Sequence, residues 1–207
     1  MKNALILTLL VASLVFAGCT QQTQPSTIGD TDGQIPRVQE NNNSMQQPPT
    51  PELRVPSQAQ LSLTSSAFSN NGAIPNKYSC DGGDVIPPLQ FAGVPQNTQS
   101  LVLIMDDPDA VAVVGFVYVH WVVFDIPPMA TEMPEGTQIG IIGSAGSGQK
   151  KYEGPCPPEG ETHTYSFRLY ALDIAPQLQE GATKQEVETA MQGHILAQSE
   201  LKGTYGQ

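Results

Sequence analysis

Several short stretches after residue 58 either alternate between apolar and polar residues or, as at residues 101–105, form an apolar run of strand length with β-branched residues, and both patterns predict β-strands. The longer candidates are residues 101–105, 117–125, 138–143 and 164–173, and the shorter ones are 60–64, 89–91 and 200–205. Turn sequences such as Asn70-Asn71-Gly72 and Asp81-Gly82-Gly83 lie between them. Because many short strands joined by turns must bury their apolar faces against one another, the pattern predicts an antiparallel β-sandwich.

One stretch near the C-terminus has a helical period instead. Thr183 and Glu186 have the spacing of a capping box, which predicts that a helix begins at Thr183. The residues that follow at helical spacing are Val187, Ala190, Met191 and His194. We therefore expect one helix here, followed by the last strand.

The first 18 residues have the pattern of a signal peptide. A short basic start is followed by an apolar segment over residues 4–16 and by Ala17-Gly18 before Cys19. The apolar segment is shorter than the roughly 20 residues that a bilayer-spanning helix needs. Its end resembles a bacterial lipobox, so we expect Cys19 to become the first residue and to carry a lipid. An ordinary cleavable signal and an uncleaved anchor are the alternatives, and each places the protein outside the cytoplasm, in the cell envelope.

Residues 19–58 are rich in Gln, Asn, Thr, Ser and Pro and hold almost no large apolar side chains. Such a segment cannot bury enough surface to offset the entropy lost on ordering. We expect a disordered, lipid-anchored tether with an r.m.s. reach of roughly 35 Å. The remaining residues, 59–207, are enough for one domain with its own core.

The charge of the chain excludes some classes of partner. The formal net charge is −11, and residues 1–58 hold three cations and four anions, so that −10 falls on residues 59–207. This charge excludes nucleic acid as a partner and argues against general adsorption on anionic lipid. An anionic ligand must therefore be held locally, by backbone N–H groups and by histidine.

Three carboxylates, Asp106, Asp107 and Asp109, follow the strand predicted at residues 101–105, and His120 lies on the next strand. Antiparallel neighbours would bring Asp107, Asp109 and His120 within a few ångströms, where titratable groups perturb one another. The alternative is structural, because Asp-Pro-Asp is ordinary turn chemistry and a lone histidine in a strand is often only half-buried.

A second cluster lies where a Gly/Pro loop beginning at Gly154 enters a strand that opens with His163 and Tyr165. This loop, Asp107-Pro108-Asp109-Ala110 and His120-Trp121-Val122-Val123 together resemble motifs of the phosphatidylethanolamine-binding proteins, in the prokaryotic branch described as Raf kinase inhibitor-like. The flanking matches are Tyr78-Ser79-Cys80-Asp81-Gly82 and Gly193-His194-Ile195-Leu196-Ala197. The resemblance covers roughly residues 59–207.

The resemblance implies a large central antiparallel sheet, a smaller sheet against it and a C-terminal helix near a ligand pocket. It implies a binding protein rather than an enzyme, without a cofactor or a metal. The partners it implies are a small anionic or phosphate-bearing ligand, such as a phospholipid head group, and a protein target, beside the membrane reached through the lipid anchor. The pocket residues carried over are Asp107, Asp109, His120, Gly154, His163 and Tyr165.

Physical chemistry supports such a pocket. A carboxylate near His120 or His163 raises the imidazole pKa, so that a protonated ring faces an anion at neutral pH. Loop N–H groups after Gly154 are expected to form a nest for the oxygens of the anion. Because aspartate oxygens accept hydrogen bonds from an ammonium group, the pocket would suit a zwitterionic head group better than bare phosphate.

The chain departs from the family pattern at two positions, which leaves the ligand preference open. Val111 replaces the second proline of Asp-Pro-Asp-Ala-Pro, and Thr164 replaces the arginine of His-Arg-Tyr, which removes a cation near the site. The segment 111–116 is also unusually apolar for an Asp-rich loop.

Three other functions compete with this one. A metal-dependent hydrolase would need a site built from the Asp/His cluster, whose members are Asp106, Asp107, Asp109, His120 and His163. A serine nucleophile in the loop 143–148 lacks the strand-turn-helix context of a nucleophile elbow. Inhibition of an envelope or extracellular protease fits the extracytoplasmic location, whereas kinase inhibition does not.

Cys80 and Cys156 remain after Cys19, in two loops that the family places towards the same end of the sandwich. Disulfides persist in an extracytoplasmic compartment, so we expect a Cys80–Cys156 bridge. The alternative is two small thiols that pack as hydrophobic side chains.

Overall fold

The structure is a computed structural model that describes residues 60–207. The predicted signal peptide, Cys19 and the tether lie outside the described residues. Within residues 60–207, no helix is both long and apolar enough to cross a bilayer.

Residues 60–207 form nine strands and two α-helices. The strands are β1 (Ser62–Thr64), β2 (Gly72–Ala73), β3 (Leu89–Ala92), β4 (Ser100–Asp107), β5 (Tyr118–Ile126), β6 (Glu132–Met133), β7 (Ile141–Ile142), β8 (Thr162–Leu172) and β9 (Ile195–Gly206). The helices are α1 (Val111–Val114) and α2 (Lys184–Met191), and 3₁₀ turns span Asn76–Tyr78 and Cys80–Gly82.

The strands form two sheets, as the sequence predicts. The large sheet has the order β2-β9-β8-β4-β5-β7, and the small sheet has the order β1-β3-β6. All pairs are antiparallel except β2 with β9, which is parallel. Several strands differ in length from the prediction: β1 and β7 are shorter, with three and two residues, whereas β4 extends over eight residues and β9 runs from Ile195 instead of residue 200. The missed elements, β2, β6 and α1, are too short to show a period.

The central strand β4 is buried on both faces, and its side chains alternate between two cores. Leu101, Leu103 and Met105 pack in the core between the two sheets. Val102 and Ile104 pack in the other core, beneath α2. Continuing this alternation, Asp107 points to the side of the first core and Asp106 to the side of α2.

Helix α2 begins as predicted. Thr183 and Glu186 form the capping box, and Val187 and Met191 are buried against the sheet. The helix ends before His194, which lies beyond the left-handed Gly193 and contacts Asp173. Because α2 covers the sheet face opposite the first core, none of its residues lines the cavity described below. The expected position of this helix near the pocket is therefore wrong.

A bulge interrupts the pairing of β4 with β5. Met105 lies opposite Trp121, while Asp106 lies opposite Val119, so that His120 has no partner on β4. An extra residue in one strand turns its own side chain out of the regular alternation. This bulge determines where the histidine points.

Candidate functional site

A cavity of about 500 Å³ opens where β4, β5 and β8 end or begin. One wall is formed by α1, and another by the segment 151–158 together with the turn at Cys80. The ionisable side chains that line it are Asp84, Asp107, Tyr118, His120, Lys151, Glu153 and His163. Among residues 60–207, this cavity contains the predicted Asp107, His120, Gly154 and His163, but neither Asp109 nor Tyr165.

Asp107 and His163 form a buried ion pair at the cavity. The carboxylate accepts from Nδ1 of His163 at 2.7 Å, and its other oxygen accepts from the Ala110 N–H at 3.0 Å. Nε2 of His163 lies 3.1 Å from a carboxylate oxygen of Glu161. Burial lowers the pKa of His163, but the hydrogen bonds to Asp107 and Glu161 together outweigh it, so the pKa is raised. His163 is therefore the histidine whose pKa changes in the direction expected beside a carboxylate.

His120 has the opposite protonation. Its Nδ1 donates to the Glu153 carbonyl at 2.8 Å, which leaves the lone pair of the neutral ring on Nε2. Burial lowers the pKa of His120 despite raising contributions from the Glu153 carbonyl and Asp107. The expectation of a raised pKa is wrong for His120. Its ring is only 5 % exposed, and the group that it hydrogen-bonds is the neutral backbone carbonyl of Glu153 rather than a carboxylate. His120 is therefore a hydrogen-bond acceptor in the cavity.

Tyr165 lies behind the cavity and positions the histidines. Its ring meets His120 edge-on at 5.1 Å and stacks on His163 at 6.5 Å between centroids. The ring is fully buried, and its hydroxyl has no hydrogen-bond partner among residues 60–207. Burial, followed by the charge of Asp107, raises its pKa, so the phenol stays neutral.

The expected anion nest after Gly154 is absent from this part of the chain. The Gly154 N–H donates to Asp84 at 2.8 Å, and Pro155, Pro157 and Pro158 have no N–H to offer. Gly154 serves close packing instead, because a Cβ there would lie 2.4 Å from the carbonyl oxygen of Tyr78. Glycine is required at this position by the approach of two backbones.

Asp109 is also structural rather than a pocket residue. It is exposed, and its carboxylate accepts from the Thr164 N–H at 2.7 Å, which ties the turn after β4 to the start of β8. The sequence indicated a carboxylate near His163 but not which of the two aspartates would face the cavity.

The disulfide between Cys80 and Cys156 forms part of the cavity wall. The two Cα atoms are 5.5 Å apart, and 76 residues separate the cysteines in sequence. The bond joins the 3₁₀ turn at Cys80 to the loop that begins at Gly154. Next to it, the Cys80 N–H donates to the Pro155 carbonyl at 3.1 Å.

Sequence reasoning missed four cavity residues. Asp84 accepts from Gly154 and lies 3.6 Å from the ammonium of Lys151. Glu153 accepts from the Tyr118 hydroxyl at 2.9 Å and from Ser147. Burial, followed by the hydrogen bond to Glu153, raises the pKa of Tyr118 to about 12. These residues lie in irregular segments or at a strand end, where no sequence period indicates direction.

The residues proposed for a metal site come together only in part, because Asp107, His120 and His163 line the cavity but Asp106 and Asp109 do not. Asp106 lies on the opposite face of the sheet, where Arg168 and Lys184 each approach its carboxylate to 2.6 Å. Within residues 60–207, no three His, Cys, Asp or Glu side chains are placed to share a metal ion. In the loop 143–148, Ser147 donates to the Glu153 carboxylate, and no histidine is bonded to it in the described residues.

The family model for phosphatidylethanolamine-binding proteins matches residues 64–206. The chain belongs to the phosphatidylethanolamine-binding protein family. Its cavity, formed by the ends of β4, β5 and β8, is thus the candidate ligand site of a family member.

Relatives support this membership along nearly their whole length. The UPF0098 protein of Methanothermobacter thermautotrophicus is 44% identical over 155 residues, which cover 70% of this chain and 98% of the relative. The UPF0098 protein of Chlamydia trachomatis is 44% identical over 148 residues, covering 70% and 98%.

Two solved structures share the fold. A phosphatidylethanolamine-binding protein homologue from Chlamydia trachomatis has a TM-score of 0.69 at 43% identity, covering 72% of this chain and 99% of its own. YbcL of Escherichia coli, described as a new member of the mammalian family, has a TM-score of 0.65 at 25% identity, with the same two coverages. The names of the UPF0098 relatives state no activity. A function for this family member must therefore be inferred from its own cavity.

Proposed function

We propose that this chain is a non-enzymatic binding protein, held at a membrane outside the cytoplasm, whose cavity takes a small ligand with both a phosphate and a primary ammonium group. A phospholipid head group of the ethanolamine type has this chemistry. The observation that carries the proposal is the set of charges around the cavity. Three carboxylates, Asp84, Asp107 and Glu153, line it beside only two cationic side chains, Lys151 and His163.

The ammonium group is supported by the number of acceptors. Asp107 is almost fully buried and has one protein cation beside it, and the neutral His120 offers a lone pair on Nε2. An ammonium carries three N–H donors and no acceptor, which suits such an environment. Bare phosphate would meet repulsion from the same carboxylates, because like charges at short range disfavour each other.

The phosphate group is supported by the two cations. The Lys151 side chain is 47% exposed and paired only loosely with Asp84, at 3.6 Å, so it can reach an anion at the cavity mouth. His163 lies deeper; burial lowers its pKa, but the hydrogen bonds to Asp107 and Glu161 raise it overall, which favours the cationic form of the ring. Hydrogen bonds from such cations to phosphate are stronger than those between neutral groups.

Titration calorimetry with four small ligands tests the proposal on the full chain in detergent. We expect phosphoethanolamine to bind about tenfold more tightly than phosphocholine, whose quaternary nitrogen has no N–H to donate, since one hydrogen bond to a charged group contributes about 1.5 kcal/mol or more. Ethanolamine and inorganic phosphate should each bind more weakly than phosphoethanolamine. Equal affinity for phosphate and phosphoethanolamine would show that the ammonium is not recognised.

Neighbouring lysines provide a matched pair of variants. Lys151→Gln should weaken phosphoethanolamine binding severalfold, because it removes the cation at the cavity mouth. Lys150→Gln should leave the affinity unchanged, since Lys150 pairs with Glu180 and does not line the cavity. An effect of the same size in both variants would mean that the net charge of the protein acts, rather than the site.

Membrane attachment is tested separately at Cys19. With a lipid on Cys19, the protein should enter the detergent phase of a two-phase separation, and Cys19→Ser should move it to the aqueous phase or leave it unprocessed. An unchanged distribution of the variant would refute lipid attachment at this cysteine.

A further inference from the structure

One segment of the domain exposes apolar side chains to an unusual degree. We call residues 110–117, which include α1, the apolar lip; none of them has a charged or hydrogen-bonding side chain. Among residues 60–207, eight large hydrophobic side chains are exposed, and five of them lie in the lip: Val111 at 48%, Val113 at 48%, Val114 at 47%, Phe116 at 58% and Val117 at 38%. Contiguous exposed apolar surface of this kind marks an interaction site.

The lip is a folded structure with few free backbone donors. Within it, the N–H groups of Val113, Val114 and Gly115 donate to carbonyls one turn earlier, at 2.8 to 3.0 Å. Asp107 holds the Ala110 N–H, and Asp109 ties the base of the lip to β8. These paired N–H groups lower the cost of moving the turn of α1 towards an apolar medium, whereas the N–H groups of Phe116 and Val117 have no backbone acceptor in residues 60–207. The lip is thus suited to the boundary between head groups and acyl chains, where its remaining polar backbone groups still reach water.

The position of the lip relates it to the cavity. Val113 and Val114 belong to the lip and also line the cavity, whereas Val111 and Phe116 lie outside the lining. Whatever covers the lip therefore lies at the mouth of the cavity, and a molecule that moves from this surface into the cavity passes along apolar side chains.

We propose that the apolar lip docks on a surface of zwitterionic phospholipid and seats its valines and Phe116 at the boundary between head groups and acyl chains. This inference rests on the membrane attachment in the proposed function, but not on which ligand the cavity takes. A net charge of −10 on residues 59–207 opposes an anionic surface and leaves a neutral one free of long-range repulsion. Apolar side chains supply the remaining attraction, which grows with the area buried.

The chain outside the described residues favours a bilayer over a second protein. The N-terminal segment ends in the predicted lipid attachment at Cys19, and about 40 residues separate it from β1. A flexible chain of that length would have an r.m.s. reach of roughly 35 Å, which would keep the domain within reach of the membrane. Tethering turns a weak apolar contact into a favourable one, because the second binding event becomes intramolecular.

A tryptophan placed in the lip reports on the contact directly. In the full chain bound to phosphatidylcholine vesicles, Phe116→Trp should be quenched about twofold or more by lipids brominated on their acyl chains, since a docked ring lies at the acyl boundary. Met129→Trp is the matched control, because Met129 is 89% exposed and follows β5 at the end opposite the lip, roughly 25 Å away along the strand. The native Trp121 is fully buried and contributes the same background to both variants.

A charge in the lip supplies a second measurement. Adding Val111→Asp to Phe116→Trp should abolish the quenching, while Val111→Leu should preserve it; both leave the cavity lining unchanged. Circular dichroism shows whether each variant folds. Replacing part of the phosphatidylcholine by phosphatidylglycerol should weaken the quenching, because the domain is anionic.

Each outcome bears on the proposal. Equal, weak quenching at positions 116 and 129 in vesicle-bound protein overturns it, and stronger quenching on anionic vesicles overturns the choice of a zwitterionic surface. A blue shift of the Phe116→Trp emission that depends on protein concentration and needs no vesicles assigns the lip to a second copy of the chain instead. If the protein carries no lipid anchor, the vesicles are added to the free protein. Quenching at position 116 but not at position 129 then supports docking, even though lipid attachment at Cys19 is refuted.

Discussion

Two adjacent aspartates at the end of β4 face opposite sides of the large sheet, and the protein neutralises them differently. Asp106 is held by Arg168 and Lys184, whose charges are permanent at neutral pH, and the contact fastens α2 to the sheet. Asp107 has only His163, whose charge depends on a bound proton, and it lies at an open cavity. The comparison shows that the ion pairs on the α2 face stabilise the fold. On the cavity face, a ligand or a proton can change how the charge of Asp107 is neutralised.

The largest expected effect concerns the disulfide, which holds the cavity face covalently where the α2 face relies on ion pairs. Replacing Cys80 and Cys156 by alanine should lower the free energy of unfolding by about 4 kcal/mol in the chain-entropy model, because the bond closes a loop of 76 residues. Urea denaturation measures the change, and thiol counting on denatured, unreduced protein should find neither cysteine free. A double variant as stable as the wild type would contradict this account.

The next largest effect is expected from removing the Asp106 carboxylate on the α2 face. Asp106→Asn should lower the free energy of unfolding by about 3 kcal/mol, because Arg168 and Lys184 lose their buried counter-ion and keep only exposed carboxylates, at 3.9 and 3.7 Å. Glu200→Gln, which changes an exposed carboxylate near Arg168, is the control and should change stability by less than about 0.5 kcal/mol. If both variants lose the same free energy of unfolding, the Asp106 ion pairs do not stabilise the packing of α2 on the sheet.

The Asp107–His163 pair on the cavity face should make the stability of the protein depend on pH. The pKa of His163 is raised on folding, so its contribution is fully present below the unfolded-state value of about 6.5 and is lost as the pH rises through the folded-state pKa. His163→Gln should cost about 1.5–3 kcal/mol at pH 6, for the lost charged hydrogen bond, and much less at pH 9. Denaturation at several pH values measures this slope, and His194→Gln, outside the cavity, should retain it.

The smallest effect is expected at Asp109, which supports the cavity without lining it. Asp109→Ala should lower stability by about 1 kcal/mol, through the lost hydrogen bond to the Thr164 N–H. Thr164→Val keeps that N–H and should have little effect. Phosphoethanolamine affinity should change little in either variant, because Asp109 does not line the cavity. A tenfold loss of affinity in Asp109→Ala would restore the ligand-contacting role that its sequence motif suggested.

Much of the fold follows from local pattern. Alternation along β8 places His163 and Tyr165 on one face and Arg168 on the other, as the period of two requires. The helix start at Thr183 was predictable because a capping box is a local arrangement of two side chains and two backbone groups. Both features depend on neighbours in sequence.

The parts of the site that escaped prediction depend on neighbours in space. The lowered pKa of His120 comes from burial beside the Glu153 carbonyl, 33 residues away. Gly154 has the N–H expected of a nest, but Asp84 takes it, 70 residues earlier in the chain. No single-sequence pattern indicates such pairings, so the residue types could be named while their partners could not.

The bulge in β5 has an evolutionary consequence. Val119 packs with the α2 core and Trp121 with the core between the sheets, so the two would alternate regularly if His120 were removed. One inserted codon would suffice to add His120 to the cavity, and it would leave the hydrophobic order of the strand unchanged. A sheet of this type can therefore gain or lose the histidine in one genetic event, and deleting His120 should give a folded protein whose cavity lacks its neutral acceptor.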